Sequence, residues 1–139
     1  MDSLFDQVAK KSTANLLRGA SMKEQLRANM EHYYQQTIDL IETLCKSAPE
    51  YTRAFMEFAE EAEKEGALSV KTKELISIAL GITAHCIPCI AFHVKSAIEA
   101  GATRQEILEA GMVAGLMGGG PAVAHLRYVV DACDQFGAD

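Results

Sequence analysis

Apolar side chains recur every three or four positions along most of this chain, and no segment shows the strict alternation of a β-strand. The segment Ser21-Met22-Lys23-Glu24 has the pattern of a capping box and predicts a long helix that runs to about Lys46. The apolar stripe of this helix consists of Leu26, Met30, Tyr33, Tyr34, Ile38, Ile41 and Cys45. Residues 3–18 carry a weaker pattern that predicts one more helix.

Two further helices are predicted after the break at Ser47-Ala48-Pro49. The first runs from about Glu50 to Gly66, with an acidic solvated face between Glu60 and Glu65. Its inner side carries Phe55, Phe58, Ala59 and Ala62. The second is capped by Ser69, and its apolar positions point nearly all round, which predicts burial on most sides. These positions are Leu75, Ile76, Ile78, Ala79, Leu80 and Ile82.

The last third of the chain predicts three more helices. One runs from about Ile87 to Ala100 and is stopped by Gly101, and a capping box at Thr103 opens another that extends toward Met117. The segment Gly118-Gly119-Gly120-Pro121 ends that helix, allows close backbone packing and starts the last one. The inner positions of the last helix are Ala122, Leu126, Val129, Val130 and Cys133. The pattern predicts an all-α fold of about six helices in a single domain over residues 1–139.

Composition narrows the class of protein. The chain has 139 residues, 49% of them hydrophobic, so it is long enough to bury a core without disulfide or metal staples. Its formal net charge of -6 argues against a nucleic-acid partner. The first residues lack a secretory signal, and no stretch is expected to reach membrane-spanning length. We therefore expect a cytoplasmic protein, in which a C-x-x-C pair is more often catalytic than structural.

The segment Cys86-Ile87-Pro88-Cys89-Ile90-Ala91-Phe92-His93 carries the chemistry. On a helix, Cys89 and His93 share a face, and Cys86 lies nearly in line with His93. Two cysteines at this spacing can close a small disulfide, and an imidazole can accept a thiol proton. Pro88 indicates a helix start, where the positive end of the helix dipole stabilises thiolate over thiol. By this argument alone, Cys86 is the more acidic thiol.

Two other interpretations of these residues stay open. Cys86, Cys89 and His93 could be zinc ligands, with His85 or Cys133 as a fourth, although a second C-x-x-C half-site is missing. They could also be buried core residues, since cysteine is often buried. Outside the motif, we interpret His125 and Cys133 as core or interface residues, and His32 and Cys45 as structural residues.

The sequence resembles the carboxymuconolactone decarboxylase and AhpD-like family. The similar segments are Gly66 to Ile76, the Cys86-Ile87-Pro88-Cys89 motif with His93, Gly101-Ala102-Thr103, Glu106-Ile107, Glu109-Ala110 and Gly119-Gly120-Pro121. The resemblance implies a family core over residues 49–136 behind an N-terminal helical extension over 1–48. It also implies a helical bundle that assembles into homo-oligomers such as trimers or hexamers. In the branch that keeps both cysteines, it implies alkylhydroperoxidase or disulfide-reductase activity.

The resemblance assigns roles to four residues. Cys89 would attack the peroxide, and Cys86 would resolve the sulfenic acid into a disulfide. His93 and Glu74 would form a proton relay with a water molecule. Glu74 by itself looks like a solvated residue beside Lys71 and Lys73, and only its place in the family motif singles it out. Pro88 is a departure, because AhpD proteins carry a histidine between the cysteines, and the nearest substitute is His85.

The expected activity is a thiol-dependent peroxidase or disulfide oxidoreductase. It would need no bound cofactor or metal beyond the redox-active Cys86–Cys89 disulfide, with electrons delivered by an external dithiol. A non-redox enzyme of the decarboxylase type and a non-catalytic, redox-sensing oligomer are the alternatives. Loss of two thiols per chain on addition of peroxide, followed by catalytic turnover, separates the three.

Overall fold

The computed structural model describes Asp6 and residues 26–139. Within these residues the chain forms five α-helices and no β-strand, which confirms the predicted all-α fold. They are α1 (Met30–Ser47), α2 (Pro49–Glu63), α3 (Val70–Thr83), α4 (Ile87–Glu99) and α5 (Arg104–Phe136). The predicted helix over residues 3–18 and the predicted capping box at Ser21 lie outside the described residues.

The centre of the fold is formed by α3, α4 and α5, which pack against one another. Helix α1 lies across α4 and α5, and α2 returns alongside α1 and touches α3 near its end. The core holds fully buried aliphatic side chains from all of these helices except α2, and they are Met30, Ile78, Ile82, Ile90, Val94, Ile107 and Val129. Burial of each such side chain contributes about 1.5–3 kcal/mol to folding. The resulting core holds the start of α4 in a fixed position.

Helix α1 begins later than predicted. Residues 26–29 are not helical, and Leu26, expected in the apolar stripe, is 70% exposed. Asn29 is the N-cap, because its side chain accepts a hydrogen bond from the backbone N–H of His32 at 3.0 Å. The backbone N–H of Met30 donates to Gln135 in α5 at 2.8 Å. This contact between residues far apart in the sequence attaches the chain to α5, and the helix begins at Met30 for this reason.

The predicted burial of α2 and α3 is wrong in part. Phe55 and Phe58, expected on the inner side of α2, are 64% and 70% exposed, because α2 lies at the edge of the bundle. Helix α3 was expected to be buried on most sides, yet Ile76 and Leu80 are exposed. The reason is that α4 and α5 cover only part of its circumference. The chain thus presents large apolar side chains at its surface.

The two last predicted helices form one kinked helix, α5. Gly119 has φ 68° and ψ -159°, which no helix contains, and Pro121 lies in the first turn after this break. Gly118 allows the close approach predicted from the glycine run, since a Cβ there would lie 3.3 Å from Cγ2 of Thr83 in α3. The glycine run therefore changes the direction of the helix without a separating loop.

By length and composition alone, α5 could cross a membrane, with a mean hydropathy of 1.4 in its most apolar window. This corrects the expectation that no stretch reaches membrane-spanning length. The feature is weak evidence for a membrane protein, because core helices meet the same criterion. Here, α5 is kinked at Gly119 and packs against α3 and α4.

Candidate active site

The two motif cysteines lie at the start of α4, as predicted. Cys86 is the N-cap residue, and its Sγ accepts a hydrogen bond from the backbone N–H of Cys89 at 3.3 Å. Pro88 occupies the first turn, where its missing N–H leaves no unpaired donor. Cys86 and Cys89 are joined by a disulfide in the structure. Both sulfur atoms therefore sit at the positive end of the helix dipole.

A largely apolar pocket of about 580 Å³ opens beside Cys89. Cys89, Phe92 and His93 form its α4 side together with Pro88. The other walls come from α1 and α2, which contribute Thr37, Ile41, Phe55, Met56, Ala59, Glu60 and Glu63. Cys86 is not among the lining residues. A bound molecule in this pocket would thus meet Cys89 rather than Cys86.

Glu74 and His93 form a hydrogen-bonded pair next to the pocket. Glu74 lies on α3 and is only 4% exposed, so the interpretation of this residue as solvated is wrong. Nδ1 of His93 lies 2.8 Å from Oε2 of Glu74, and an imidazole N–H at Nδ1 donates to the carboxylate. This bond leaves Nε2 of the ring for exchange of a proton with a thiol or a water molecule.

Glu63, the last residue of α2, also approaches His93. Its Oε1 lies 3.8 Å from Nδ1 of the imidazole. Burial raises the pKa of Glu63, and the negative charge of Glu74 raises it further, whereas His93 and Lys73 act in the opposite direction. The sequence placed Glu63 on a solvated acidic face, and no local signal distinguishes it from the other carboxylates in that run.

Oxygen or nitrogen atoms of Glu63, Glu74 and His93 all lie within 4.8 Å of one another, a spacing that could hold a cation. The 2.8 Å contact between His93 and Glu74, however, has the length of an ordinary charge-assisted hydrogen bond. The alternative zinc site would need thiolates from Cys86 and Cys89, and these sulfurs are paired in the disulfide. The expectation that no metal is required stays a prediction.

The remaining histidines and cysteines lie elsewhere. His85 has a φ of 55° and stacks on His125 of α5, with ring centroids 4.6 Å apart, and neither ring lines the pocket. Cys133 is fully buried, and burial raises the pKa of its thiol to about 11. Cys45 is an exposed free thiol. His85 therefore does not share the pocket with Cys89 and His93.

Comparison with known proteins identifies the family of this chain. The sequence profile of the carboxymuconolactone decarboxylase family matches residues 49–132. The chain belongs to this family, which confirms the resemblance found in the sequence. An uncharacterised protein of the cox locus of Paracoccus denitrificans is 38% identical over 82 residues, covering 59% of this chain and 74% of its own. An uncharacterised protein of Cupriavidus necator is 33% identical over 95 residues, covering 68% and 84% respectively.

Solved structures show the same fold. A carboxymuconolactone decarboxylase family protein from Legionella pneumophila superposes with a TM-score of 0.74 at 36% identity, over 77% of this chain and 96% of its own. A family member from Thermotoga maritima, described as a candidate for a role in the antioxidative response, superposes with a TM-score of 0.69 at 27% identity. That match covers 76% of this chain and 90% of the Thermotoga chain.

Proposed function

We propose that this protein is a thiol-dependent peroxidase that reduces organic hydroperoxides with Cys89, Cys86, His93 and Glu74. One observation carries the proposal. Cys89 and His93 line the same apolar pocket, and the imidazole of His93 is hydrogen-bonded to the buried Glu74. A thiol that attacks a peroxide needs a base to remove its proton and an acid to protonate the departing oxygen. His93 can serve as both in turn.

The proposed reaction starts from the reduced dithiol. His93 takes the proton of Cys89, and the thiolate attacks the terminal oxygen of R–O–OH, so that the S–O bond forms as the O–O bond breaks. The imidazolium returns its proton to the alkoxide, which leaves as the alcohol, and Cys89 becomes a sulfenic acid. The Cys86 thiol then displaces water from the sulfenic acid to form the disulfide, and an external dithiol returns the site to its reduced form.

The position of the two sulfurs supports this division of roles. Cys89 lines the pocket and Cys86 does not, so a peroxide in the pocket meets Cys89 first. This agrees with the family resemblance and not with the helix-dipole argument, which favoured Cys86. The apolar walls favour an organic hydroperoxide over hydrogen peroxide, because only a substrate with an apolar group gains from burial there.

A lactone decarboxylase is less well supported by this pocket. Its described lining contains two carboxylates, Glu60 and Glu63, and no lysine or arginine that would bind an anionic lactone. A purely redox-sensing protein would form the same disulfide, but its cycling with excess dithiol would be no faster than the direct reaction of the dithiol with the peroxide. Decarboxylation and turnover assays thus separate both alternatives from the peroxidase.

The test uses protein reduced with dithiothreitol and freed of excess reductant. Cumene hydroperoxide should oxidise two thiols per chain, with multiple turnovers when dithiothreitol is restored, and it should react faster than hydrogen peroxide. Cys89→Ser should abolish turnover, while Cys45→Ser, which removes an exposed thiol away from the pocket, should not. Cys86→Ser should react once and then accumulate overoxidised Cys89. An absence of turnover in the parent protein would overturn the proposal.

A further inference from the structure

Two carboxylates from different helices approach the same nitrogen of His93. Glu74 of α3 lies 2.8 Å from Nδ1, and Glu63 of α2 lies 3.8 Å from it. Nδ1 carries at most one proton, which the shorter contact assigns to Glu74. Glu63 is therefore a second carboxylate beside the imidazole, and it also lines the pocket. Neither the sequence motif nor the family resemblance includes this residue.

Lys73 holds Glu63 in this position. The Nζ of Lys73 donates hydrogen bonds to the backbone carbonyls of Ala62 at 2.8 Å and of Lys64 at 2.7 Å, which flank Glu63 in the chain. Carbonyls at the end of a helix lack partners within the helix and are stabilised by a cation. Lys73 directly precedes Glu74 in α3, so one short segment positions both carboxylates around His93.

Charged groups of both signs face Glu63. Lys73 and Glu74 face it from α3, His93 faces it from α4, and Glu60 of its own helix lines the same pocket. The pocket residues of α1 are uncharged. Burial raises the pKa of Glu63, and so does the negative charge of Glu74. A positive charge on the imidazole that both carboxylates approach would offset the repulsion between them.

We propose that Glu63 is a positioning residue of the thiol site, which acts together with Glu74 to keep His93 a proton acceptor for Cys89. The inference rests on the proposed thiol chemistry, but it concerns only the first step. In that step the proton of the Cys89 thiol moves to His93, giving a thiolate and an imidazolium. Ionised Glu63, 3.8 Å from Nδ1, stabilises the imidazolium and so favours the thiolate.

The test measures alkylation of Cys89 by iodoacetamide in the reduced protein as a function of pH, in a Cys45→Ser/Cys86→Ser background that leaves only the buried Cys133 as another thiol. Glu63→Gln should move the pH midpoint upward by about one unit and slow alkylation near neutral pH by about tenfold, the effect of losing one nearby charge. Glu63→Asp should fall between the parent and Glu63→Gln. Glu61→Gln removes the same charge from the same helix, where the side chain is 69% exposed, and should leave the profile unchanged.

A second pair of variants tests the anchor. Lys73→Met should shift the profile in the same direction as Glu63→Gln, because the end of α2 is released. Lys71→Met is the control, since Lys71 of the same helix binds Glu106 of α5 at 2.8 Å instead. All profiles are recorded with and without EDTA, and a shift seen only without EDTA would assign the effect to a bound metal and overturn the proposal.

The outcomes distinguish this inference from the proposed function. An unchanged or lowered midpoint in Glu63→Gln overturns the role of Glu63, even if the parent protein reduces peroxides. A raised midpoint in Glu63→Gln, together with a parent protein that fails to turn over with cumene hydroperoxide, supports the role of Glu63 and overturns the peroxidase. Circular dichroism of each variant confirms that the helices are intact.

Discussion

At the scale of single residues, His93 depends on a carboxylate that has little access to water. The Glu74 side chain is 5% exposed and that of His93 is 20% exposed, and their contact is a hydrogen bond of 2.8 Å. A buried carboxylate that loses its hydrogen-bond partner lowers the free energy of unfolding strongly. An uncharged amide at the same place lowers it less. Removal of the His93 imidazole should therefore destabilise the folded state.

His93→Ala should lower the free energy of unfolding by about 1–3 kcal/mol, because Glu74 keeps its charge and loses its donor. In a Glu74→Gln background, the same change should cost much less. The measurement is urea unfolding of the parent, the two single variants and the double variant. The packing of His93 against Phe92 is lost in both backgrounds and therefore cancels in this double-mutant cycle. Equal costs of His93→Ala in both backgrounds would show that the pair contributes no coupling.

Cys133 gives the protein a defined sensitivity to alkaline pH. Burial raises the pKa of its thiol from 9.0 to about 11, so the folded state keeps the proton that the unfolded state loses above pH 9. The free energy of unfolding should therefore be independent of this thiol below pH 9 and should fall by about 2 kcal/mol between pH 9 and pH 11. The measurement compares unfolding of the Cys45→Ser protein with the same protein carrying Cys133→Ala. Parallel pH profiles would contradict the prediction.

The sequence was sufficient to select four of the five residues near the thiol site. Cys86, Cys89 and His93 could be recognised because they share one helix, where spacing determines which side chains meet. Glu74 could be selected only through the family motif, since its burial depends on contacts of α3 with α4. Glu63 could not be selected, because its approach to His93 depends on hydrogen bonds from Lys73 to backbone carbonyls. Such contacts leave no pattern in the sequence.

At the scale of elements, the helix ends that carry local signals were predicted well. Ser69 caps α3 by accepting a hydrogen bond from the N–H of Thr72, and Thr103 and Glu106 form the predicted capping box of α5. The start of α1 was predicted wrongly. The cap at Asn29 and the contact of Met30 with Gln135 determine where this helix begins. Local polar caps can thus be predicted from the sequence, but a helix end that depends on a distant side chain cannot.

Two positions at the kink in α5 require glycine, Gly119 for its backbone conformation and Gly118 for space, because a Cβ at Gly118 would lie 2.6 Å from Cβ of Ala122. Gly119 has a positive φ of 68° with a ψ of -159°, which is essentially restricted to glycine, whereas Gly120 has no positive φ and open space around its Cβ position. Gly119→Ala should lower the free energy of unfolding by about 1–3 kcal/mol. Gly120→Ala should be neutral or slightly stabilising, because it restricts the unfolded chain. Thermal unfolding of both variants tests this, and equal melting temperatures would be evidence against the kink.

At the scale of the whole molecule, the surface of α3 and of the first half of α5 is unusually apolar for a chain that acts alone. Ile76 and Leu80 are four residues apart on α3, and Met112 and Leu116 are four apart on α5, so each pair shares a face. All four are exposed, Leu116 to 82%. Apolar patches of this kind mark protein interfaces. They support the prediction, made from the family resemblance, that the chain forms a homo-oligomer.

The oligomer is tested by light scattering at micromolar concentration, where we expect the mass of a closed assembly such as a trimer or hexamer. Leu80→Glu combined with Leu116→Glu should yield monomers, because two carboxylates would be buried without partners in the interface. Leu40→Glu is the matched control on α1, where the side chain is 56% exposed, and it should leave the mass unchanged. Circular dichroism should show intact helices in all three proteins. A monomeric parent would contradict the prediction, and dissociation by Leu40→Glu alone would move the interface to α1.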